Sequence, residues 1–136
     1  MTQNTQIAII GTGFSGLGMG IKLKEAGYDN FVILEQSDDV GGTWHENHYP
    51  GCACDVQSAL YSFSFEQNPN WTRMFAQQKE IQAYLRSCAE KYDLMKHVRL
   101  NTHVAGARFD EKTQSWTVET CDSPKLWAYL QDKGLN

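Results

Sequence analysis

The sequence predicts an α/β fold, in which helices flank a parallel sheet, and two stretches carry this prediction. An apolar, mostly β-branched run, Ile7–Ile10, is interpreted as a buried strand. It is followed by glycines at positions 11, 13 and 16 and then by an apolar-periodic segment. A second apolar run, Phe31–Leu34, ends at the acidic residue Glu35. This strand–turn–helix–strand order is the context of a Rossmann-like dinucleotide-binding unit.

Each glycine of the first turn has its own task in such a unit. Gly11 permits a tight turn, Gly13 lets the backbone approach a pyrophosphate, and Gly16 lets the helix pack closely on the strand. The start of the helix adds unpaired N–H groups and a partial positive charge. Glu35 follows at the distance along the chain expected for an acid that accepts a hydrogen bond from a ribose hydroxyl.

Length and charge narrow the classes of function. The chain has 136 residues, which predicts one domain, and its net charge of −4 without a Lys/Arg cluster argues against nucleic-acid binding. No apolar run approaches the ~20 residues of a membrane span, and the polar N-terminus does not resemble a secretory signal. We therefore expect a cytoplasmic protein, no membrane partner and cysteines in the thiol form.

Periodicity predicts two helices. The first runs from about Phe14 to Ala26 and stops at Gly27; close packing would explain Gly18 and Gly20 within it. The second is predicted over 78–92, where apolar residues recur at helical spacing. Cys88 lies on that apolar stripe, so we interpret it as a small buried side chain rather than a reactive thiol.

The other segments are predicted from alternation and turn signals. Leu60–Phe65 is interpreted as a short extended piece with one buried face, and a strand region is predicted from Val98 through Val104. It leads through a polar loop into a second strand, 115–120, which predicts a β-hairpin. A short helix is predicted to begin at Ser123. Three apolar residues after the extended piece are interpreted as a core patch: Trp71, Met74 and Phe75.

A polar loop separates these regions, and it contains two further signals. The adjacent glycines Gly41 and Gly42 predict a close backbone approach or an unusual turn. Trp44 beside them is either a wall of a ligand pocket or a core ring. Pro50 and its neighbours Tyr49 and Gly51 predict a tight turn.

Four pieces, in chain order, give the sequence a family resemblance: the turn Gly11–Gly16, Glu35, the loop Gly41–Trp44, and the stretch from Tyr49 through Asp55 to Phe63. The chain resembles the N-terminal FAD-binding segment of flavin-dependent monooxygenases, and the Baeyer–Villiger monooxygenases in particular. The resemblance covers about residues 6–120, and 121–136 diverge. It implies a partial FAD-binding domain over 1–136, incomplete at its C-terminal end, with the hairpin as a crossover connection.

The resemblance also implies a set of site residues. The FAD pyrophosphate would lie on the glycine turn, the ribose on Glu35, the adenine by Val104, and the flavin beside the second loop. Asp55 is implied as a catalytic acid near the flavin that borders the nicotinamide cofactor. The residues implied to bind cofactor are Gly11, Gly13, Phe14, Ser15, Gly16, Glu35, Gln36, Gly42, Thr43, Trp44, His45, Glu46, Asp55, Val56, Tyr61 and Val104.

The implied chemistry needs a second cofactor. In the resembled family NADPH reduces the flavin, O₂ adds to it, and the peroxyflavin inserts oxygen into a ketone or oxygenates a soft heteroatom. The sequence has no second G-x-G-x-x-G for NADPH, no Ala-Thr-Gly strand end, no linking F-x-G-x-x-x-H and no match to the family's active-site arginine. We therefore expect a truncated chain or fragment that does not turn over alone and that could hide an exposed sheet edge in a homo-oligomer.

Three alternatives remain open at this point. A non-catalytic FAD- or nucleotide-binding fragment, or an interaction module, would share the early motifs. An NAD-dependent dehydrogenase is compatible with the glycine turn and Glu35, although the Gly41–Trp44 loop favours FAD. A metal site is a third alternative, but its spacing is not a usual structural zinc pattern, and we predict no metal. Its candidate ligands are His45, His48, Cys52 and Cys54.

Overall fold

A three-stranded parallel sheet forms the centre of the computed structural model, which describes residues 5–122. Its strands are β1 (Ile7–Ile10), β2 (Phe31–Leu34) and β3 (Val98–Arg99), in the order β1-β2-β3. Ile7 pairs with Phe31, and Ile33 pairs with Val98. The predicted Rossmann-like α/β class is confirmed. The helix predicted to begin at Ser123 lies outside the described residues.

Within residues 5–122, three α-helices accompany the sheet. They are α1 (Phe14–Glu25), the single turn α2 (Thr43–Glu46) and α3 (Gln78–Lys91). Gly27 ends the first helix as predicted, with φ of +84° and its N–H donating to the carbonyl of Lys24 at 2.9 Å. Among the described residues, no helix is both long and apolar enough to cross a membrane.

The glycines inside α1 mark places where the helix packs closely on its neighbours. A Cβ at Gly20 would lie 3.0 Å from Cδ1 of Ile33 and 3.2 Å from Cδ2 of Leu94. A Cβ at Gly18 would lie 3.0 Å from the ring of Phe63. Close packing therefore offsets the roughly 1 kcal/mol that each glycine costs in a helix interior.

The apolar stripe of α3 supplies much of the core, as its period predicts. Ile81, Leu85 and Ala89 are fully buried, and Tyr84 and Cys88 lie beside them. Burial raises the pKa of the Cys88 thiol. The interpretation of Cys88 as a small buried side chain is confirmed.

The burial predicted for β1 is wrong for one of its faces. Ile7 and Ile9 are half-buried, whereas Ala8 is exposed and Ile10 is 64% exposed. Within residues 5–122, α1 covers one face of the strand, and β1 lies at the edge of the sheet. An apolar run therefore identifies the strand but not which of its faces is covered.

The segment 60–65 is not extended, contrary to prediction. A 3₁₀ turn, Ser58–Leu60, opens it, and a bridge between Phe63 and Glu66 closes a tight turn. Leu60 is 75% exposed, while Phe63 and Phe65 stack at 5.0 Å and pack against the core. The aromatic residues that alternate with serines here therefore belong to a turn, and the turn places their rings on one side.

The predicted core patch is only partly correct. Trp71 packs against the core, with its ring centroid 5.5 Å from that of Tyr84. Met74 and Phe75 are exposed. The carbonyl of Met74 accepts hydrogen bonds from the N–H and the hydroxyl of Ser58, at 2.7 and 3.0 Å. These backbone contacts hold the stretch in place, so its side chains need not be buried.

The hairpin is confirmed, and it leaves the sheet beside the end of β2. Its strands are β4 (Thr102–Asp110) and β5 (Ser115–Asp122), paired antiparallel with an irregularity between Val104 and Gly106. The strand predicted from Val98 through Val104 is interrupted at Asn101, whose φ is +54°. The N–H of Thr102 then donates to the carbonyl of Glu35 at 2.7 Å, so the hairpin starts next to that acid.

The contact of Gly20 with the sheet gives the first testable prediction. We expect Gly20→Val to lower the free energy of unfolding by about 1–3 kcal/mol, because its side chain would overlap Ile33 and Leu94. Met19→Val introduces the same residue at a neighbouring, exposed position of α1 and should change stability by less than about 0.5 kcal/mol. Urea unfolding measures both values, and equal effects would contradict the close packing at Gly20.

Candidate dinucleotide site

The turn between β1 and α1 presents backbone N–H groups to solvent at the edge of the sheet. Gly11 has φ of +90°, and its N–H donates to the carbonyl of Leu34 at 2.8 Å. The first hydrogen bond of the helix runs from Leu17 N–H to the carbonyl of Gly13 at 3.0 Å, so the N–H groups of residues 14–16 precede it. No acidic side chain lies in this first helical turn. The helix start is therefore suited to bind an anion.

The second and third glycines of the motif differ in what surrounds them. A Cβ at Gly16 would lie 2.0 Å from the carbonyl oxygen of Gly11, which leaves no room for any other residue. A Cβ at Gly13 would meet only Cα of Gly42, at 4.0 Å. Gly16 is thus required by the fold itself, whereas Gly13 faces open space above the helix start.

A second glycine loop lies against the first. A Cβ at Gly42 would lie 3.0 Å from Cα of Gly13, and Gly42 has φ of +52° and ψ of −125°, a combination that L side chains rarely adopt. The N–H of Gly41 donates to the carbonyl of Thr12 at 3.2 Å. The close backbone approach predicted from the paired glycines is therefore an approach between two loops.

Glu35 is almost fully buried at the end of β2, with 4% of its surface exposed. Its Oε2 accepts hydrogen bonds from the N–H and hydroxyl of Thr12 at 2.8 and 2.5 Å, and its Oε1 accepts one from Ser37 N–H at 2.9 Å. Burial by itself raises the pKa of Glu35, but the hydrogen bonds from Thr12 and Ser37 outweigh it and hold the pKa below its ordinary value. The carboxylate stays ionised, and Oε1 keeps capacity to accept a further hydrogen bond.

Two cavities lie on either side of this arrangement, and both include Ile10, Gly11 and Gly13. The first, of about 290 Å³, is lined by Ile10, Gly11, Thr12, Gly13, Leu34, Glu35, Gln36, Gly42, Glu46, Thr102, His103 and Val104. The second, of about 390 Å³, is lined by Ile10, Gly11, Gly13, Phe14, Ser15, Gly16, Gly41, Thr43, Trp44 and Tyr61. The structure thus brings together all the predicted cofactor residues except His45, Asp55 and Val56.

The three exceptions lie outside both linings. Asp55 and Val56 are exposed on the loop before the 3₁₀ turn. His45 is hydrogen-bonded to Asp38 and Gln82. Their roles at a cofactor, including the catalytic role of Asp55, remain predictions.

Trp44 combines the two alternatives that its sequence context leaves open. The ring is 8% exposed and belongs to the core, and it also lines the second cavity. Its indole N–H donates to the hydroxyl of Tyr61 at 3.1 Å. The residue is both a core ring and a wall of the cavity.

Sequence reasoning missed several lining residues. Thr12 lies between two glycines of the motif, and nothing in the sequence indicates that its side chain is buried. Thr102 and His103 reach the first cavity only because the hairpin starts beside Glu35; Nδ1 of His103 lies 3.2 Å from Oε1 of Gln36. Their adjacency to Val104 is the one sequence signal that points to them. The other lining residues that the sequence did not predict are Ile10, Leu34 and Gly41.

The candidate metal ligands do not form a cluster. Among residues 5–122, no three His, Cys, Asp or Glu side chains are arranged to hold a metal ion. Cys52 and Cys54 are buried free thiols, as is Cys88.

Comparison with known proteins identifies the family. Residues 9–78, just over half of the chain, match the model of the NAD(P)-binding Rossmann-like domain. The chain belongs to this family. The match includes both glycine loops and Glu35, whereas Thr102, His103 and Val104 of the first cavity follow it in the chain.

Individual relatives of this Rossmann-like chain are monooxygenases. This chain is 58% identical over 114 residues to a Baeyer–Villiger monooxygenase of Pseudomonas aeruginosa, and the alignment covers 84% of this chain and 22% of that protein. It is 48% identical over 114 residues to an FAD-binding monooxygenase of Aspergillus niger, covering 83% and 19%. A solved structure of an oxidized steroid monooxygenase bound to NADP superposes with a TM-score of 0.82 at 37% identity, covering 87% and 23%. The resemblance to Baeyer–Villiger monooxygenases is confirmed, and the chain spans about a fifth of these relatives' length.

Gly16 gives a prediction about the fold of the site. We expect Gly16→Ala to lower the free energy of unfolding by about 3 kcal/mol or more, because the methyl group would overlap the backbone carbonyl of Gly11. Gly13→Ala is the matched control, since its methyl group would make only an ordinary contact, 4.0 Å from Cα of Gly42. Urea unfolding compares the two variants, and a Gly16→Ala protein as stable as Gly13→Ala would contradict the close approach of Gly16 to Gly11.

Glu35 gives a prediction about pH. Its pKa is lower in the folded chain than in the unfolded chain, so its contribution to stability is complete above the unfolded-state pKa. That contribution is lost as the pH falls through the folded-state pKa. Glu35→Gln lacks this carboxylate and should lose less stability than the original chain when the pH falls from about 6 to about 3. Parallel loss in both proteins, measured by urea unfolding, would show that Glu35 has no depressed pKa.

Proposed function

We propose that the chain forms the FAD-binding portion of a flavin-dependent, NADPH-dependent monooxygenase. The observation that carries the proposal is the pair of cavities that meet at Gly11 and Gly13. Together they form an elongated cradle centred on the start of α1. A dinucleotide has the same layout, with two ring systems joined through a pyrophosphate.

The chemistry of each part of the cradle suits FAD. The N–H groups at the start of α1 suit the pyrophosphate, and nothing but Gly42 Cα lies near a Cβ position at Gly13. The ionised carboxylate of Glu35, which lines the first cavity, suits a ribose hydroxyl. Trp44 and Tyr61 give the second cavity an aromatic wall suited to a flavin ring.

The residues of this chain bind and orient the cofactor, and FAD, when bound, supplies electron transfer and activation of O₂. Phe14 and Trp44 pack edge-to-face on the ring of Tyr61, with centroids at 5.0 and 5.7 Å. This contact fixes the three rings relative to one another. The aromatic part of the second cavity's wall is therefore held in place, which suits the flat face of a flavin ring.

The proposed substrate is a ketone, into which one oxygen atom of O₂ is inserted, with oxygenation of a soft heteroatom as the alternative. The Baeyer–Villiger relative supports the ketone. Asp55, which is exposed and lines neither cavity, is proposed as the catalytic acid that borders the nicotinamide cofactor.

Two further parts of the proposal concern the setting of the protein. The free thiols support a cytoplasmic location. The exposed outer face and edge of β1, with Ile10 64% exposed, support assembly into a homo-oligomer.

A second candidate function is FAD binding without turnover. One observation favours it: the sequence has a single G-x-G-x-x-G, at 11–16, whereas oxygenation requires sites for both FAD and NADPH. The two candidates share the cradle and differ only in NADPH oxidation.

The spectrum of the purified chain tests the proposal. After reconstitution with FAD and desalting, we expect the chain to keep a flavin absorbance band with a perturbed shape. Gly13→Ala should weaken FAD binding at least tenfold while leaving the unfolding midpoint within about 3 °C, because its methyl group enters the cradle and not the core. A chain that keeps no FAD would refute the proposal. Stabilisation by NAD⁺ but not by FAD would instead support the dehydrogenase alternative.

An oxidation assay tests whether the chain turns over alone. A chain that holds FAD and oxidises NADPH excludes the binding-only function. A chain that holds FAD without NADPH oxidation is the outcome that both candidates predict for a chain spanning about a fifth of its relatives' length. Free FAD at the same concentration is the control for both measurements.

A further inference from the structure

One face of α3 presents polar side chains to the loop that carries the second glycine pair. Gln78, Gln82 and Arg86 recur at four-residue spacing, so they lie in one row along the helix. The loop, residues 38–46, includes five residues that line the cavities: Gly41, Gly42, Thr43, Trp44 and Glu46. The apolar stripe of α3 accounts for its packing in the core but not for this row.

The row is joined to the loop by a continuous chain of hydrogen bonds. Gln78, only 6% exposed, donates from Nε2 to the carbonyl of Trp44 and to Oε1 of Gln82, the latter at 3.1 Å. Gln82 donates from Nε2 to Nδ1 of His45 at 2.8 Å. Nε2 of His45 lies 2.9 Å from Oδ1 of Asp38.

The donors and acceptors in this chain allow one arrangement. Since Gln82 donates to Nδ1 of His45, the imidazole proton is on Nε2, from which it is donated to Asp38. A reversed amide at Gln82 would set its NH₂ group against that of Gln78 and its oxygen against an unprotonated Nδ1. Gln82 therefore joins Gln78 to His45 only in the observed orientation.

On its other side the loop is held by hydrogen bonds from Gly41 N–H to Thr12 and from the indole of Trp44 to Tyr61, but its own regular structure is short. α2 is a single turn, and Gly41 and Gly42 both have positive φ. A Cβ at Gly41 would lie 3.3 Å from Cγ of Gln82, so helix and loop are in close contact. One turn further along α3, Arg86 forms an ion pair with Asp39.

We propose that the row Gln78–Gln82–Arg86 positions the Gly42–Trp44 segment for the dinucleotide, and that Gln82, acting through His45, is a positioning residue of the site. The inference rests on the proposed function, because the ligand is FAD. Gln82 lines neither cavity, and its effect on FAD is exerted through the loop. His45 lines neither cavity, and its hydrogen bonds join Gln82 to Asp38 of the loop.

Gln82→Met tests the inference with a side chain of similar length that cannot form hydrogen bonds. We expect the FAD dissociation constant to increase roughly tenfold, because fewer hydrogen bonds fix the loop. The thermal unfolding midpoint should stay within about 3 °C of that of the original chain. Lys79→Met places the same residue on an exposed position of the same helix and should leave the FAD dissociation constant unchanged. Fluorescence titration of free FAD with the full chain measures all three proteins.

Gln82→Glu provides a readout that a merely structural role would not change. A carboxylate at 82 still accepts from Gln78, but His45 can donate to it and to Asp38 at the same time only when the imidazole carries both protons. The charged groups around His45 are Asp38 in the loop, the new carboxylate on α3, and the Arg86–Asp39 pair beyond it. The FAD affinity of Q82E relative to the original chain should therefore increase as the pH falls from about 8 to about 6.

The outcomes separate this inference from the proposed function. If the original chain holds FAD and Q82M binds it equally well, the inference is wrong and the proposed function stands. If the original chain holds no FAD, both are wrong. If Q82M unfolds, Q82E decides: an affinity ratio that does not vary with pH overturns the inference, and a ratio that increases toward acid pH supports it.

Discussion

The buried contact between Thr12 and Glu35 is the constraint on which the candidate site depends. Thr12 donates two hydrogen bonds to one carboxylate oxygen, while its carbonyl accepts the N–H of Gly41 at 3.2 Å. An ionised carboxylate buried without such donors would cost several kcal/mol, so the fold must bring these groups to Glu35. In doing so it joins the turn after β1, the end of β2 and the second glycine loop at one point. Both cavities lie around that point.

This convergence explains why small residues surround the acid. Three backbone segments meet where a side chain would occupy the space between them, as at Gly16 against Gly11 and at Gly42 against Gly13. The same close approach leaves the helix start accessible from solvent through Gly13. Stability and ligand geometry are thus set by the same contacts, and a change that separates the loops alters both.

The parts of this arrangement that are local in sequence could be predicted from it. The glycine turn, β2 with Glu35 and the apolar stripe of α3 each carry their signal within a short window, since period and turn chemistry are local properties. The positions of Thr102 and His103 depend on where the hairpin leaves the sheet, which no short window records. The exposure of Ile10 and Met74 depends on whether other elements cover them. That cannot be predicted from the apolar character of the residues alone. Segment 60–65 shows a further limit, because its alternation arises from a turn rather than a strand.

Helix α3 connects the stability of the core to the geometry of the cradle. Its apolar stripe, with Ile81 and Leu85 fully buried, fixes the helix against α1 and the sheet. Its polar row then has a defined position from which Gln78 reaches the carbonyl of Trp44. Because protein cores are closely packed, a shift of α3 would move the second glycine loop away from the first. The loop needs little regular structure of its own, since the helix beside it already supplies a rigid support for its backbone and for the aromatic wall that follows.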